Sequence, residues 1–528
     1  MIEDPIRFEV IKNALISSAR EMSQALRRTA FSPNIKERRD CSCALFDAEG
    51  RLVAQSKDIP VHLGAMPLSV KSCIEGLGSK LVAGSMALVN DPYSGGSHLP
   101  DLTMVSPIFF EGERVAFTAN RAHHADIGGI SPGSMPGLST TIHEEGITIK
   151  PRIVVRNSAL HEDSITDVLS STLTPDERLG DLSAQVAANH VGMRRLEEVQ
   201  RKYGWPTLKR TFNELRDYSA MMMRKNLIQN AGAKTSFTDY LDSDGAGQWE
   251  IPISISLEIT KTGAVVDFEG TSEQVIGNVN CPLASTLSSV YYVFITLLGK
   301  GIPVNEGCWR VIDVRVPEGS LLNPKYPAAV SAGNVETSQR IVDVTLGALA
   351  NVFPDLVPAA SQGTMNNLTI GGIDYRSGNS FSFYETIGGG SGASKGNPGV
   401  SGIHTHMTNT LNTPVESLET EYPLRIHRYS IRRNSGGKGR WKGGDGIIRE
   451  IEMLADISTI SIQSERRHSQ PWGLNGGEPG KSGRNTLTYE DKAFPLEAKT
   501  TIVAPKGTKV RIETPGGGGY GPPPQKTE

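Results

Sequence analysis

The chain has 528 residues, 38% hydrophobic and 21% charged, with a formal net charge of −3; this is the composition of a soluble globular protein with room for roughly two to four domains. The near-balanced charge leaves no cationic footprint for nucleic acid or an acidic membrane surface. The N-terminal MIEDPIRFEV lacks the basic-then-apolar pattern of a secretory leader, and the longest apolar run, near 288–299, is too short to cross a bilayer.

Along the chain, residues 4–30 predict the clearest helix. Asp4 can cap, Pro5 suits the first turn, and Phe8, Ile11, Leu15, Ala19, Met22 and Leu26 recur at helical spacing. Residues 43–55 read as a hairpin turning at Asp47–Gly50, 65–85 as a helix, and 87–93 as a strand running into a long Gly-rich loop. Leu102–Phe110 and Arg114–Asn120 form a second hairpin around Glu111-Gly112. From 160 to 230 the pattern is helical, starting at Thr174-Pro175-Asp176-Glu177 and broken at Tyr203-Gly204-Trp205-Pro206; the consecutive Met221, Met222 and Met223 cannot share one face. Strand-like text follows 235, with helices over 284–299 and 335–352, and from about 420 short β-like runs alternate with Gly turns up to a flexible or surface-draped tail from Glu513. The expectation is an α+β multidomain protein with mixed sheets, long Gly-rich loops and a β-rich C-terminal region. It divides into 1–235, carrying the metal-site residues and the helical segment, a central α/β region 236–415, and 416–528.

The five cysteines, Cys41, Cys43, Cys73, Cys281 and Cys308, are odd in number and scattered, which argues for a reducing cytosol; Cys41-x-Cys43 reads as a buried, inert pair. Only 11 histidines occur, yet His98, His123 and His124 fall within 27 positions beside Asp101, with Asp40 upstream. Imidazole with carboxylate suits Mn, Zn or Fe(II). A tight turn at Glu111-Gly112 places Asp101 opposite residue 122, 123 or 124. An odd-length loop selects His123 and an even-length one favours His124. Asp40 is a candidate fourth, anionic ligand. His404-x-His406 would aim two imidazoles the same way on a strand, for the site, a proton relay or structure. The Gly-rich stretches 386–394 and 434–446 read as plain loops. GLNGGEPGKSG (473–483) misses the Walker pattern at Asn475, and GISPG (129–133) fails as a nucleophile elbow because Pro132 has no N–H.

ERRDCSCALFDAEGRLVAQ, IPVHLGAMPLSV, NDPYSGGSHLPD, NRAHHADIGGISPGSMPG, GNVETSQRIVDVTLGALA, THMTNTLNTPVESLE, GRWKGGDGIIREI and RIETPGGGGYG resemble the hydantoinase B/oxoprolinase family, from about residue 3 to 521. The resemblance implies a cytoplasmic B-type subunit of an ATP-dependent amidohydrolase that opens a cyclic amide (hydantoin, 5-oxoproline or lactam). A partner A-type subunit would use ATP to phosphorylate the carbonyl oxygen, making a reactive imidate, and metal-bound hydroxide would be the nucleophile. It implies one divalent metal, Mn, Zn or Fe, on Asp40, His98, Asp101 and His123, with His124 as general base or orienter. Asn334 in GNVETSQ stands where some relatives are expected to carry an acid. The alternative is a subunit of an acetone- or acetophenone-type carboxylase.

Overall fold

The computed structural model describes residues 4–524. The first helix runs Pro5–Thr29, with the Asp4 carboxylate accepting from the Arg7 N–H, and its apolar stripe is buried as expected. That stripe packs beside the long helix Pro175–Tyr203 on one face of a seven-stranded antiparallel sheet. The strands are β1 Cys41–Asp47, β2 Leu52–Gln55, β3 Met86–Val89, β4 Asp101–Phe110, β5 Glu113–His123, β6 Arg152–Arg156 and β7 Ala159–Leu160, in the order β2-β1-β5-β4-β3-β6-β7. Helix His62–Leu77 covers the opposite face through Met66, Val70 and Cys73 against Ala44, Phe46, Val105, Phe117 and Ala119. The sheet therefore buries both faces, and consecutive residues of one strand look into different cores.

A second sheet of Lys234–Ser243, Trp249–Ile259, Ala264–Asp267 and Ile312–Arg315 is mixed, its last pair parallel, and carries helices Leu283–Leu298 and Ser338–Leu349. The third sheet pairs Asn367–Ile373 and Ser380–Glu385 with Ile457–Gln463 and Lys499–Pro505. It thus draws strands from both sides of residue 416, so the C-terminal region shares a sheet with the central one. A five-stranded fourth sheet takes Leu424–Arg432, Gly446–Met453, Arg484–Tyr489, Lys492–Leu496 and Lys509–Glu513.

Gly204 separates Pro175–Tyr203 from Trp205–Leu227. On the second of these, Met223 is buried while Met221 is 56% exposed, so the methionine run spans more than one face. The cysteines are all buried and free, and burial pushes the thiols of Cys41 and Cys73 up to about 12, which fits inert core residues. No helix among the described residues is long and apolar enough to cross a membrane.

The tail differs from expectation. Thr514–Tyr520 is buried, and Gly516–Gly519 threads between the other Gly-rich segments. Gly517 N–H donates to Gly444 O (2.9 Å), Gly518 N–H to Ala360 O (2.8 Å) and Gly519 N–H to Glu478 O (2.9 Å), while Gly437 N–H donates to Gly517 O (2.9 Å). A Cβ on Gly517 would lie 2.0 Å from Ser391 O, and one on Gly443 2.0 Å from Gly517 O. The stretches read as plain loops are thus one hydrogen-bonded bundle. Glycine is required in it because backbone meets backbone with no space for a side chain.

Candidate metal centre

Register places the cluster. Within the β4–β5 pair Asp101 sits opposite His123, and in the β1–β5 pair Cys41 sits opposite Ala122. One step further His123 N–H donates to Asp40 O (3.0 Å). Asp40, His123 and Asp101 therefore form a row across three adjacent strand positions on the face covered by helix His62–Leu77. The hairpin reaches this register by an unexpected route. Its loop is the two residues Glu111 and Gly112, both at positive φ (51° and 84°), an even-length turn that alone would set Ala122 against Asp101. A β-bulge after Ile108 leaves Val115 without a partner and moves the strand on by one. The inward residue is thus His123, with the bulge rather than an odd loop as the cause.

His98, in the turn before β4, closes the group: donor atoms of His98, Asp101 and His123 all lie within 4.8 Å of one another. His98 Nε2 is 3.3 Å and His123 Nδ1 3.6 Å from the Asp101 carboxylate. All three are buried, and both nitrogens of His98, Oδ1 of Asp101 and Nε2 of His123 have no hydrogen-bond partner. Burial pushes the Asp101 carboxyl up, but the imidazoles of His98 and His62 and hydrogen bonding to His123 outweigh it and hold the group well below its ordinary value. Burial is also the main cause that lowers His123. Two imidazoles and an ionised carboxylate converging with unpartnered ring nitrogens and a free carboxylate oxygen are a donor set that fits a divalent cation. Asp40 lies on the wall of the same cavity but outside the compact group.

The cavity holds about 20 Å3 and is lined besides by Ile59, Val61, Asn334, Val335, Met365, Tyr384, Thr386, Met407 and Thr408. His62, which the sequence pattern did not single out, also lines it. Its Nε2 is 3.5 Å from Asp101 Oδ2 and its Nδ1 2.8 Å from Ser42 Oγ. Ser97 Oγ donates to Asp101 Oδ2 at 2.5 Å, and the Tyr384 ring stacks on His123 at 4.3 Å, 7° from parallel. The sequence signal for His62 was its place in the motif IPVHLGAMPLSV, without a role; Tyr384 comes from a distant strand and left none.

His124 looks the other way. Its Nε2 is 3.0 Å from Gln185 Oε1 on helix Pro175–Tyr203, and burial, then Arg178, lowers it to about 4. The structure does not bring this candidate base to the cavity, because neighbours along a strand face opposite sides of the sheet. His404 and His406 are not on a strand. His406 has φ 59°, with Nε2 3.9 Å from Asp343 Oδ1, and neither histidine lines the cavity. Asn334 does line it, and Ser285 Oγ donates to its Oδ1 at 2.8 Å.

Against known proteins, the chain is 40% identical to a 5-oxoprolinase of Dictyostelium discoideum over 98% of its own length but only 40% of the relative's, so it spans about two-fifths of that protein. It is 32% identical to a Pseudomonas protein (strain NS671) named as the B-type subunit of a D-/L-hydantoinase, covering 98% of this chain and 90% of that one. The ATP-dependent caprolactamase of Pseudomonas jessenii superposes with a TM-score of 0.92 at 29% identity, over 100% of this chain and 93% of that one. The hydantoinase B/oxoprolinase model matches residues 4–523, and the chain belongs to that family.

Proposed function

We propose that this chain is the B-type subunit of an ATP-dependent amidohydrolase that opens a cyclic amide, a lactam, hydantoin or 5-oxoproline, after an A-type partner subunit has phosphorylated the amide oxygen. The observation that carries the reading is the buried His98, Asp101 and His123 cluster with unpartnered donor atoms, in a fold shared across its full length with a caprolactamase. The relative named as a subunit supports a partner.

His98, Asp101 and His123, with Asp40 beside them, would hold a divalent ion such as Mn, Zn or Fe. Such an ion supplies Lewis acidity and lowers the pKa of a water from about 15.7 toward about 7. The chain's own residues prepare the rest. Ser97 and His62 fix the Asp101 carboxylate, Tyr384 holds the His123 plane, and Ile59, Val61, Val335, Met365 and Met407 exclude bulk water. The Asn334 side chain lines the cavity with its carbonyl already engaged, leaving amide hydrogens for a substrate oxygen. His124 has no part in this reading.

The test is the purified complex with an A-type partner, assayed for ring opening of hydantoin, 5-oxoproline and caprolactam, with ion content measured by ICP-MS. We expect ATP-dependent ring opening and about one ion per chain. His98→Ala should lose the ion and at least a thousandfold in kcat. Retained ion and turnover in that variant would overturn the reading, and ATP-driven carboxylation of a ketone in place of ring opening would reassign the chain to a carboxylase.

A further inference from the structure

Beside the metal-ligand cluster the cavity has a second wall of different chemistry. Thr386 and Thr408 line it, and both are joined to Thr410 through their hydroxyls, at 2.9 Å and 3.2 Å. Behind them lies the fully buried Arg38, whose Nη2 donates to Thr386 Oγ1 at 2.7 Å and to Thr410 Oγ1 at 3.5 Å. The remaining acceptors of this guanidinium are the carbonyls of Tyr384 (3.1 Å) and Leu411 (3.3 Å) and the amide oxygen of Asn34. None carries charge, and no carboxylate forms an ion pair with Arg38 among the described residues. The guanidinium also lies over the Tyr384 ring at 4.9 Å, so this buried cation is answered by neutral dipoles and an aromatic face but by no charge.

The hydroxyl protons can be counted. Three hydroxyls hold three protons, and the two bonds between them use two. Thr410 cannot accept from both neighbours and from Arg38, since that asks three bonds of two lone pairs. The chain therefore runs in one direction, toward Thr408 or toward Thr386. In either case the spare proton is on Thr386 or Thr408, both residues of the cavity wall, with no acceptor among the described residues.

We propose that Thr386 and Thr408, backed by Arg38 through Thr410, form a pocket for a substrate oxyanion beside the metal-ligand cluster, either a phosphoryl or a carboxylate group. The inference rests on the proposed function for its biological meaning: an imidate phosphate brings the first kind of oxyanion and the opened amide leaves the second. Its physical basis is independent of that reading.

The test uses the full chain, metal-free and Mn-loaded, titrated calorimetrically with inorganic phosphate and with acetate at constant ionic strength. Wild type should bind phosphate in the Mn-loaded state, where the ion offsets the Asp40 and Asp101 carboxylates that line the same cavity. The near-isosteric Thr386→Val/Thr408→Val double variant should bind at least tenfold more weakly, with divalent uptake retained as the sign that the cavity is folded. Acetate binding as tightly as phosphate, and lost in the same variant, would assign the pocket to carboxylate ends. Equal phosphate affinity in wild type and variant, or no saturable binding by wild type, would overturn the proposal. Intact phosphate binding in a complex that opens no cyclic amide would overturn the proposed function and leave the pocket standing; ring opening without anion binding would do the reverse.

Discussion

Glu336 sits in the π-helical turn Gly333–Thr337, directly after the cavity-lining Asn334 and Val335. Its Oε1 accepts from the Met365 N–H (3.0 Å) and from Asn367 Nδ2 (2.8 Å), while its buried Oε2 has no partner. Asn367 in turn accepts from the hydroxyl of Tyr384, the ring stacked on His123. Burial is the main cause that raises this carboxyl from 4.5 to about 7, and nearby Glu465 adds to it. Between those values the folded protein keeps a proton that the unfolded chain releases. The contribution to stability is thus complete below pH 4.5 and is lost as the pH rises through 7. Glu336→Gln should remove this slope. The stability difference between variant and wild type, from urea unfolding at a series of pH values, should shift in favour of the variant by on the order of 3 kcal/mol across the window. Parallel pH profiles would show that Glu336 is ionised in the fold.

At the scale of elements, the site depends on Val115, a residue that never touches it. The two-residue turn and the bulge together set Asp101 against His123; without the bulge the strand slips by one and presents its other face. Deleting Val115 should abolish divalent-ion binding by ICP-MS, whereas Val115→Ala, which keeps the residue count, should retain it. Ion binding at wild-type level in the deletion would mean that the strand recovers its register elsewhere. The same elements show what sequence makes legible. The apolar period of Pro5–Thr29 and the hairpin arms are local patterns, and the clustering of His98, Asp101 and His123 follows from chain proximity across one tight turn. Bulge position is not local: it is settled by which residues the sheet buries on each face, so the even two-residue loop, read by parity alone, favours His124, and only the bulge brings His123 opposite Asp101. His62 and Tyr384 enter the cavity from a helix start and a separate sheet, and no spacing in the sequence encodes that approach.

In the whole molecule, the Gly-rich segments change meaning most between sequence and structure. Read singly, 386–394 and 434–446 are plain loops, 473–483 is a near-miss of the Walker pattern and the tail is a flexible or surface-draped end; together they pack backbone to backbone around Gly516–Gly519. Glycine is chosen there for the side chain it lacks, and only the distant partner segments reveal that. Gly517→Ala should therefore cost more than about 3 kcal/mol, beyond the usual range for overpacking, measured as a fall in the denaturation midpoint. A loss below about 1 kcal/mol would mean that the bundle yields easily. The bundle also sets an order of events during synthesis. The seven-stranded sheet that carries His98, Asp101 and His123 is complete by residue 160. By contrast, the wall at Tyr384, Met407 and Thr408 belongs to a region held together by strand Lys499–Pro505 and by residues 516–519. The whole ligand-bearing sheet is thus synthesised some 350 residues before the last glycines that complete the bundle.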